Sequence, residues 1–199
     1  MAKLILLRHF KSQWNLENRF TGWTDVPLCP EGIESAEKVA GELVGLKIDK
    51  VYTSPLIRNR ETVSLILENL GEEKLPVIVD KALDERNYGE LQGLNKDEVK
   101  KQYGEEQVKL WRRSYDIAPP GGESLKDVYK RAVPFYKEYA EKDLKEGKNV
   151  LLVASHNSLR AIIKYVENIS DEDIINLELP FGGLVKYGFD GKQYIKYNN

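Results

Sequence analysis

Short apolar runs alternate with longer amphipathic stretches along the chain. Four runs have the length of β-strands, and they lie at residues 3–9, 49–54, 75–80 and 149–155. Three of them are nearly continuous in apolar residues, which is typical of strands covered on both faces. The pattern therefore predicts four strands inside a layered fold.

Apolar residues recur at helical spacing between these runs. One stripe contains Ile33, Ala36, Ala40, Leu43 and Val44, and a second contains Leu159, Ile162, Ile163 and Val166. A helix cap is predicted at Glu123-Ser124, after the loop-like segment 118–124. Strands alternating with helices predict an α/β fold, with a mostly parallel central sheet flanked by helices on both faces.

The last part of the chain has a different pattern. Asp190-Gly191 separates two short β-prone runs within residues 183–197, which predicts a small hairpin at a sheet edge. The chain has 199 residues, 41% of them hydrophobic, and it contains no linker or repeat. We therefore expect one domain over residues 1–199.

Charge and cysteine content narrow the range of partners. The chain has 30 Lys plus Arg and 32 Asp plus Glu, a net charge of -2, which argues against nucleic acid or an anionic membrane surface as a partner. The single cysteine, Cys29, excludes an internal disulfide and fits a reducing compartment, where we expect it to be an inert packing or turn residue. No run approaches a membrane span, and the apolar run Leu4 to Leu7 is too short for a signal peptide, so a cytoplasmic protein is expected.

The only two histidines follow predicted strands. His9 ends the first strand, and His156 follows the strand at 149–155, just before a helix expected to start near Asn157-Ser158. Ligands of open α/β sheets bind at the carboxyl ends of strands. Either histidine alone could be a hydrogen-bonded packing residue, but two in equivalent positions favour a shared site.

Several arginines accompany these histidines. Arg8 precedes His9, Arg58 follows another strand end, and Arg112-Arg113 lie in "KLWRRSYD". Guanidinium groups bind phosphate through paired hydrogen bonds, so arginines that converge on one pocket form a phosphate clamp. Solvated surface positions are the expectation for three others, Arg60, Arg86 and Arg131.

Longer motifs contain these residues. The segments "LLRHFKSQWNLENRFTGWTDVPL", "TSPLIRNRET", "LDERNYGELQGLNKDEVKKQYGEEQVKLWRRSYD", "GESLKDV" and "SHNSLRAIIKYVENISDEDIINLELP" together resemble the cofactor-dependent phosphoglycerate mutases of the histidine phosphatase superfamily. The likeness runs from about residue 3 to about residue 187, and the loop around "APPGGES" resembles the compact members.

The resemblance implies a role for each matching residue. His9 would be the nucleophile that becomes a phosphohistidine, with Arg8, Arg58 and His156 around the phosphoryl group. Glu85 would donate and accept the proton, although a surface ion pair with Arg86 is the alternative for this carboxylate. The implied substrate-binding residues are Ser12, Asn15, Thr21, Gly22, Tyr88, Lys96, Arg112, Arg113, Ser155 and Asn157.

Four positions depart from the family pattern. "RHFKS" stands where the family usually has RHGES, so Phe10 replaces a glycine and should avoid positive φ. Lys11 replaces a glutamate, a local charge change of about +2 that we expect to strengthen anion binding. Phe181 stands where the family tends to have a smaller polar residue, and a packing adjustment is the simplest interpretation.

The fourth departure concerns the second histidine. The family's A-H-G-N-S-L-R is "ASHNSLR" here, so an ungapped match puts Ser155 at the histidine position, and a one-residue deletion puts His156 there. The two registers differ because a one-residue shift reverses the direction of a side chain in a strand. We favour His156, because the chain has no other imidazole to complete the pocket, while Ser155 could donate a hydrogen bond to the phosphoryl group.

Three functions are compatible with these features. The leading one is an isomerase of glycolysis and gluconeogenesis that interconverts 3-phosphoglycerate and 2-phosphoglycerate, primed by 2,3-bisphosphoglycerate, with no metal. A phosphohistidine-dependent phosphatase on a small phosphorylated metabolite is the second, and a binding protein without turnover is the third. Phosphoglycerates are the expected partners, and the sequence leaves monomer and homodimer open.

Overall fold

A six-stranded sheet organises the computed structural model, which describes residues 1–197. The strands are β1 (Ala2–Arg8), β2 (Lys50–Thr53), β3 (Val77–Val79), β4 (Val150–Ala154), β5 (Leu184–Phe189) and β6 (Tyr194–Tyr197). Their order across the sheet is β3-β2-β4-β1-β5-β6. The first four strands along the chain pair in parallel, whereas β5 is antiparallel to β1 and β6 is antiparallel to β5. The predicted mostly parallel sheet is confirmed.

The described residues form nine α-helices. They are α1 (Gln13–Leu16), α2 (Pro30–Glu34), α3 (Ala36–Gly41), α4 (Ile57–Leu70), α5 (Lys96–Tyr103), α6 (Glu105–Arg113), α7 (Leu125–Phe135), α8 (Glu141–Lys145) and α9 (His156–Val166). Short 3-10 turns lie at Lys81–Leu83, Gly89–Leu91 and Asp173–Asn176, and a π-turn at Tyr136–Ala140 joins α7 to α8. Among these helices none is long and apolar enough to cross a bilayer.

Helices cover both faces of the sheet because the side chains of a strand alternate in direction. In β1, Ile5 points into a cluster that includes Val39 of α3 and Ile66 of α4. Its neighbour Leu6 points into the opposite cluster, which includes Ile162 of α9. Both β1 residues are fully buried, so the expectation of strands covered on both faces is confirmed for the centre of the sheet.

Two local predictions are confirmed by hydrogen bonds. The Ser124 Oγ accepts from the backbone N–H of Asp127, and the Asp127 carboxylate accepts from the backbone N–H of Ser124, which forms a capping box at the start of α7. The β5–β6 hairpin turns at Gly191, where φ is 101°, a conformation that favours glycine. Asp190 stabilises the turn by accepting from two following backbone N–H groups.

Two packing predictions are wrong. The strand β3 lies at the edge of the sheet, so its three apolar side chains are exposed rather than covered. The stripe from Ile33 to Val44 is interrupted because α2 ends and α3 begins at Ser35, whose hydroxyl donates to the Gly32 carbonyl. Ile33 is therefore 48% exposed, and Val44 lies beyond the end of α3 and is 72% exposed.

Candidate active site

The pairing of β1 with β4 brings the two histidines to the same edge of the sheet. Arg8 lies opposite Ala154, and the backbone N–H of His9 donates to the Ala154 carbonyl at 3.1 Å. His156 follows two residues after Ala154, at the first residue of α9. Both imidazoles line one small cavity of about 70 Å³.

The lining of this cavity comes from distant parts of the chain. It consists of Arg8, His9, Asn15, Arg19, Phe20, Thr21, Gly22, Arg58, Glu85, Tyr88, Lys96, Arg112, His156 and Asn157. The structure brings all the predicted site residues to this cavity except Ser12, Arg113 and Ser155. The prediction missed two lining residues, Arg19 and Phe20. Both lie within "NLENRFTGW", between the predicted residues Asn15 and Thr21, and this placement could have indicated them.

His9 is a buried histidine whose tautomer is fixed by a backbone contact. It is 2% exposed, and its Nδ1 lies 2.6 Å from the Phe10 carbonyl oxygen. A carbonyl can only accept a hydrogen bond, so Nδ1 carries the proton and Nε2 keeps its lone pair. Burial, then the charges of Arg58 and Arg8, hold the pKa of His9 well below its usual value of 6.5. The imidazole is therefore neutral at physiological pH.

Arg58 is held by backbone carbonyls at the start of α4. Its guanidinium donates to the Gly22 carbonyl at 2.7 Å and to the Thr24 carbonyl at 3.1 Å, and the side chain is 1% exposed. These bonds fix the direction of the planar group, and its charge lies beside the cavity with no carboxylate ion-pair partner in the described part of the chain.

Arg8 is fixed by the segment that precedes β5. Its guanidinium donates to the Leu179 carbonyl and stacks on the Phe181 ring, with 3.8 Å from Cζ to the ring centroid. Burial lowers the pKa of Arg8 to about 10, with Glu85, Tyr88 and Glu178 acting in the opposite direction. It therefore remains a cation at neutral pH. Phe181 thus does more than fill space, because its ring orients a lining cation.

Glu85 is a buried carboxylate. Its Oε1 accepts from the backbone N–H of Arg86 at 2.6 Å and from that of Asn157 at 3.2 Å. Burial acts to raise the pKa of Glu85, but the His156 ring in its protonated form, the two donors and Arg58 outweigh it, and the pKa is lowered overall. The surface ion pair considered for Glu85 is wrong, since the group is 7% exposed and contacts the backbone of Arg86 rather than its guanidinium.

Arg86 is also not a surface residue, contrary to the sequence-based expectation. It is fully buried, and its guanidinium donates to the Trp111 carbonyl and, at 2.8 Å, to Oδ1 of Asn157. Arg131 is half-buried and donates to three backbone carbonyls of the segment 82–85. Only Arg60 of the three is exposed. The guanidiniums of Arg86 and Arg131 therefore support the segment that carries Glu85.

The structure places His156, and not Ser155, at the cavity. Ser155 is fully buried, and its Oγ accepts from the Asn59 side chain at 3.1 Å. The His156 ring is 11% exposed, and its Nε2 lies 3.4 Å from Glu178 Oε2 without hydrogen-bond geometry. Burial lowers the pKa of His156 to about 4. The gapped register agrees with this placement, because the start of α9 re-aims the imidazole.

Several buried polar atoms of the lining have no hydrogen-bond partner among residues 1–197. They are Arg8 Nε, Thr21 Oγ1 and His156 Nε2. Lys96 lies nearby, and burial followed by the charges of Arg112 and Arg8 lowers its pKa to about 8. Unpaired buried donors are costly, and donors close to several cations match the oxygens of a phosphate or carboxylate. The cavity is therefore suited to a small polyanion.

Two residues of the first loop, the predicted site residue Ser12 and the substituted Lys11, lie outside this lining. The Ser12 hydroxyl donates to the Asn15 side chain at 2.7 Å, so Ser12 orients a lining residue rather than contacting the cavity. Lys11 pairs with Glu31 at 2.7 Å. The expectation that Lys11 strengthens anion binding is not supported, since its charge is directed at Glu31 and away from the lining.

Phe10 is accommodated without backbone strain. Among the described residues, the only non-glycine residues with positive φ are Asn18 and Asn168, so the expectation that Phe10 avoids this region is confirmed. The Phe10 ring is fully buried in the cluster that contains Leu7. Its backbone N–H donates to Thr62 Oγ1 at 3.1 Å, which anchors the loop beside His9.

Comparison with known proteins identifies the class of this fold and site. The model of the histidine phosphatase superfamily (branch 1) matches residues 4–198, so the chain belongs to that superfamily. It is 48% identical over 192 residues to the 2,3-bisphosphoglycerate-dependent phosphoglycerate mutase of Cytophaga hutchinsonii, covering 96% of this chain and 90% of that protein. Identity to the protein of the same name from Chlamydia trachomatis serovar D is 43% over 221 residues, covering 99% and 98%.

Solved structures confirm the fold. A mycobacterial glucosyl-3-phosphoglycerate phosphatase superposes with a TM-score of 0.87 at 24% identity, covering 99% of this chain and 98% of that one. The protein YhfR of Bacillus stearothermophilus superposes with a TM-score of 0.86 at 25% identity, covering 98% and 95%.

Proposed function

We propose that this protein interconverts 3-phosphoglycerate and 2-phosphoglycerate through a phosphohistidine at His9, primed by 2,3-bisphosphoglycerate. The observation that carries the proposal is the unprotonated Nε2 of His9 in a cation-lined cavity that also holds the Glu85 carboxylate. Relatives at 43–48% identity over most of the chain have the name 2,3-bisphosphoglycerate-dependent phosphoglycerate mutase, and they favour this reaction over a phosphatase reaction.

His9 Nε2 is the group that accepts the phosphoryl. A bond forms between Nε2 and phosphorus while the bond from phosphorus to the substrate oxygen breaks. Charge on the three equatorial oxygens is stabilised by Arg8, Arg58 and the ring of His156. Arg58 and Arg8 are already held by backbone carbonyls, so little reorganisation is needed when the charge develops.

Glu85 moves the proton in both directions. Its lowered pKa keeps it ionised, so it can take the proton from the substrate hydroxyl that attacks the phosphohistidine. The resulting carboxylic acid then protonates the oxygen that leaves when His9 is phosphorylated again. One carboxyl group serves both half-reactions because the second is the first run backwards.

The lining fits the priming bisphosphate. The unpartnered Thr21 Oγ1 and the cations Lys96 and Arg112 can hold the phosphate or carboxylate that does not react, together with Asn15 and Arg19. The bound primer supplies the phosphoryl group that first loads His9. The Asn157 side-chain amide donates to Tyr88 Oη at 3.3 Å, which orients both of these lining side chains.

The decisive experiment is phosphoryl labelling. Wild-type protein incubated with 2,3-bisphosphoglycerate should form an acid-labile, base-stable adduct, which His9→Ala abolishes. Lys11→Ala is the matched control, because it alters the same loop outside the lining and should keep the adduct. If the wild-type protein forms no adduct, the proposal is overturned, and the third function, a binding protein without turnover, remains.

A second measurement separates mutase from phosphatase. The labelled protein is mixed with 3-phosphoglycerate, and transfer to this acceptor is compared with release of inorganic phosphate. We expect transfer to dominate, and predominant release would contradict the mutase reaction. The proposed reaction belongs to glycolysis and gluconeogenesis, so we also propose a cytoplasmic location and phosphoglycerates as the small-molecule partners.

A further inference from the structure

Glu178 lies between two residues of the site. One carboxylate oxygen forms an ion pair with the guanidinium of Arg113, and the other lies 3.4 Å from Nε2 of His156. The Glu178 side chain is 57% exposed, whereas those of Arg113 and His156 are 19% and 11% exposed. Solvent, and therefore a soluble ligand, can reach the carboxylate that covers these two groups.

The fold fixes the position of both partners. The fully buried Arg160 donates to the Arg113 carbonyl at 2.8 Å and to the Ile174 carbonyl at 2.7 Å. The first bond fixes the end of α6, and the second fixes the segment that leads to Glu178. These two bonds hold the backbone segments that carry Arg113 and Glu178 close together.

The arrangement explains why Arg113 does not line the cavity. Its neighbour Arg112 lines it, and the family resemblance assigns both arginines to substrate binding. A carboxylate on Arg113 imitates the carboxylate or phosphate of a substrate. A partly exposed ion pair contributes only about 0–1 kcal/mol, so a more highly charged ligand can exchange with it.

We infer that Glu178 is a specificity-determining residue: it holds Arg113 outside the cavity and gives it up to the carboxylate or phosphate of the bound phosphoglycerate. This inference rests on the proposed function for the identity of the ligand. A ligand whose second anionic group reaches Arg113 must displace Glu178, so Glu178 weakens the binding of that ligand, whereas an anion without such a group leaves the ion pair in place. Inorganic phosphate has no such second group.

The test is direct binding by calorimetry without added primer. For 3-phosphoglycerate, Glu178→Gln should tighten Kd by about 3- to 10-fold, because Arg113 is no longer occupied by a carboxylate. Glu172→Gln is the matched control, an exposed glutamate on the same segment, and should leave Kd unchanged. Weaker or unchanged binding in Glu178→Gln would overturn the inference, because a purely structural contact can only weaken binding when it is lost.

A double-mutant cycle isolates the role of Arg113. In an Arg113→Gln background, Glu178→Gln should change Kd by less than about 2-fold, because there is no guanidinium to release. An equal gain in both backgrounds would show repulsion through space and would refute displacement from Arg113. In steady state, Glu178→Gln should lower KM for 3-phosphoglycerate more than it changes kcat.

The outcomes also separate this inference from the proposed function. If wild-type protein forms no phosphoryl adduct and does not bind 3-phosphoglycerate, the proposed function fails. If it does both and Glu178→Gln leaves Kd unchanged, the proposed function stands and the role of Glu178 is refuted.

Discussion

Acid should destabilise this protein through His156. The folded chain protonates this imidazole at a pKa of about 4, compared with an ordinary value of 6.5, because the ring is buried. Between these values the unfolded chain binds the extra proton, so acid favours unfolding. The stability contributed by neutral His156 is complete above pH 6.5 and is lost as the pH falls toward 4.

The magnitude follows from the size of the shift. Each unit of pKa difference corresponds to about 1.4 kcal/mol, so the loss from His156 between about pH 7.5 and about pH 5 is about 2 kcal/mol. Other groups titrate in this range: His9 adds a loss of the same sign, and Asp84, whose pKa is raised to about 6 by burial, acts in the opposite direction. Glu178 contributes mainly at lower pH, since its pKa is held at about 2.

Comparing the pH dependence of the free energy of unfolding in wild type and a His156 variant cancels the contributions of these other groups. Urea unfolding of wild type and His156→Asn is measured at both pH values, and the free energies of unfolding are compared. The wild type should lose about 2 kcal/mol more than His156→Asn. His9→Asn, which removes the second buried imidazole, should show a difference of the same sign. If wild type and His156→Asn lose the same free energy of unfolding between the two pH values, the assignment of a buried neutral imidazole is refuted.

Three further predictions concern turnover in the mutase assay. Glu85→Gln keeps an oxygen for the two backbone donors but cannot take a proton, so kcat should fall by about 10²- to 10⁴-fold, and a fall below about 10-fold would contradict its role. His156→Ala should lower turnover by about 10²-fold and Ser155→Ala by much less, with the reverse ranking supporting the ungapped register. Lys11→Ala should leave kcat/KM within about 2-fold, because its charge pairs with Glu31, and a larger loss would show that it reaches the substrate.

The sequence predicts the centre of the fold and the convergence of the two histidines on one cavity, for identifiable reasons. Runs such as 149–155 are apolar throughout because β4 is covered on both faces, and that pattern is visible without a structure. The position of His156 follows from its place after such a run, where a helix begins. These features depend on the local pattern of apolar residues, which can be read from a single sequence.

The features that the sequence could not provide depend on contacts between distant segments. Sequence alone predicts a surface position for Arg86, because an isolated arginine usually lies there. Its partners Trp111 and Asn157 are known only once α6 and α9 are placed. The exposure of Ile33 could not be predicted either, since the break at Ser35 interrupts a stripe that looks continuous. Glu178 lies inside a matching segment, but its role could not be predicted because its two partners come from α6 and α9.

The adjacency of β1 and β4 has a consequence for biosynthesis. During translation the first strand emerges early, and it must wait for most of the polypeptide before the strand that precedes His156 is available to pair with it. A nascent chain still attached to the ribosome at α7 therefore has one imidazole and no enclosed anion cavity. Phosphoryl transfer should begin only after this late closure of the sheet, which makes the onset of catalysis a reporter of completed folding.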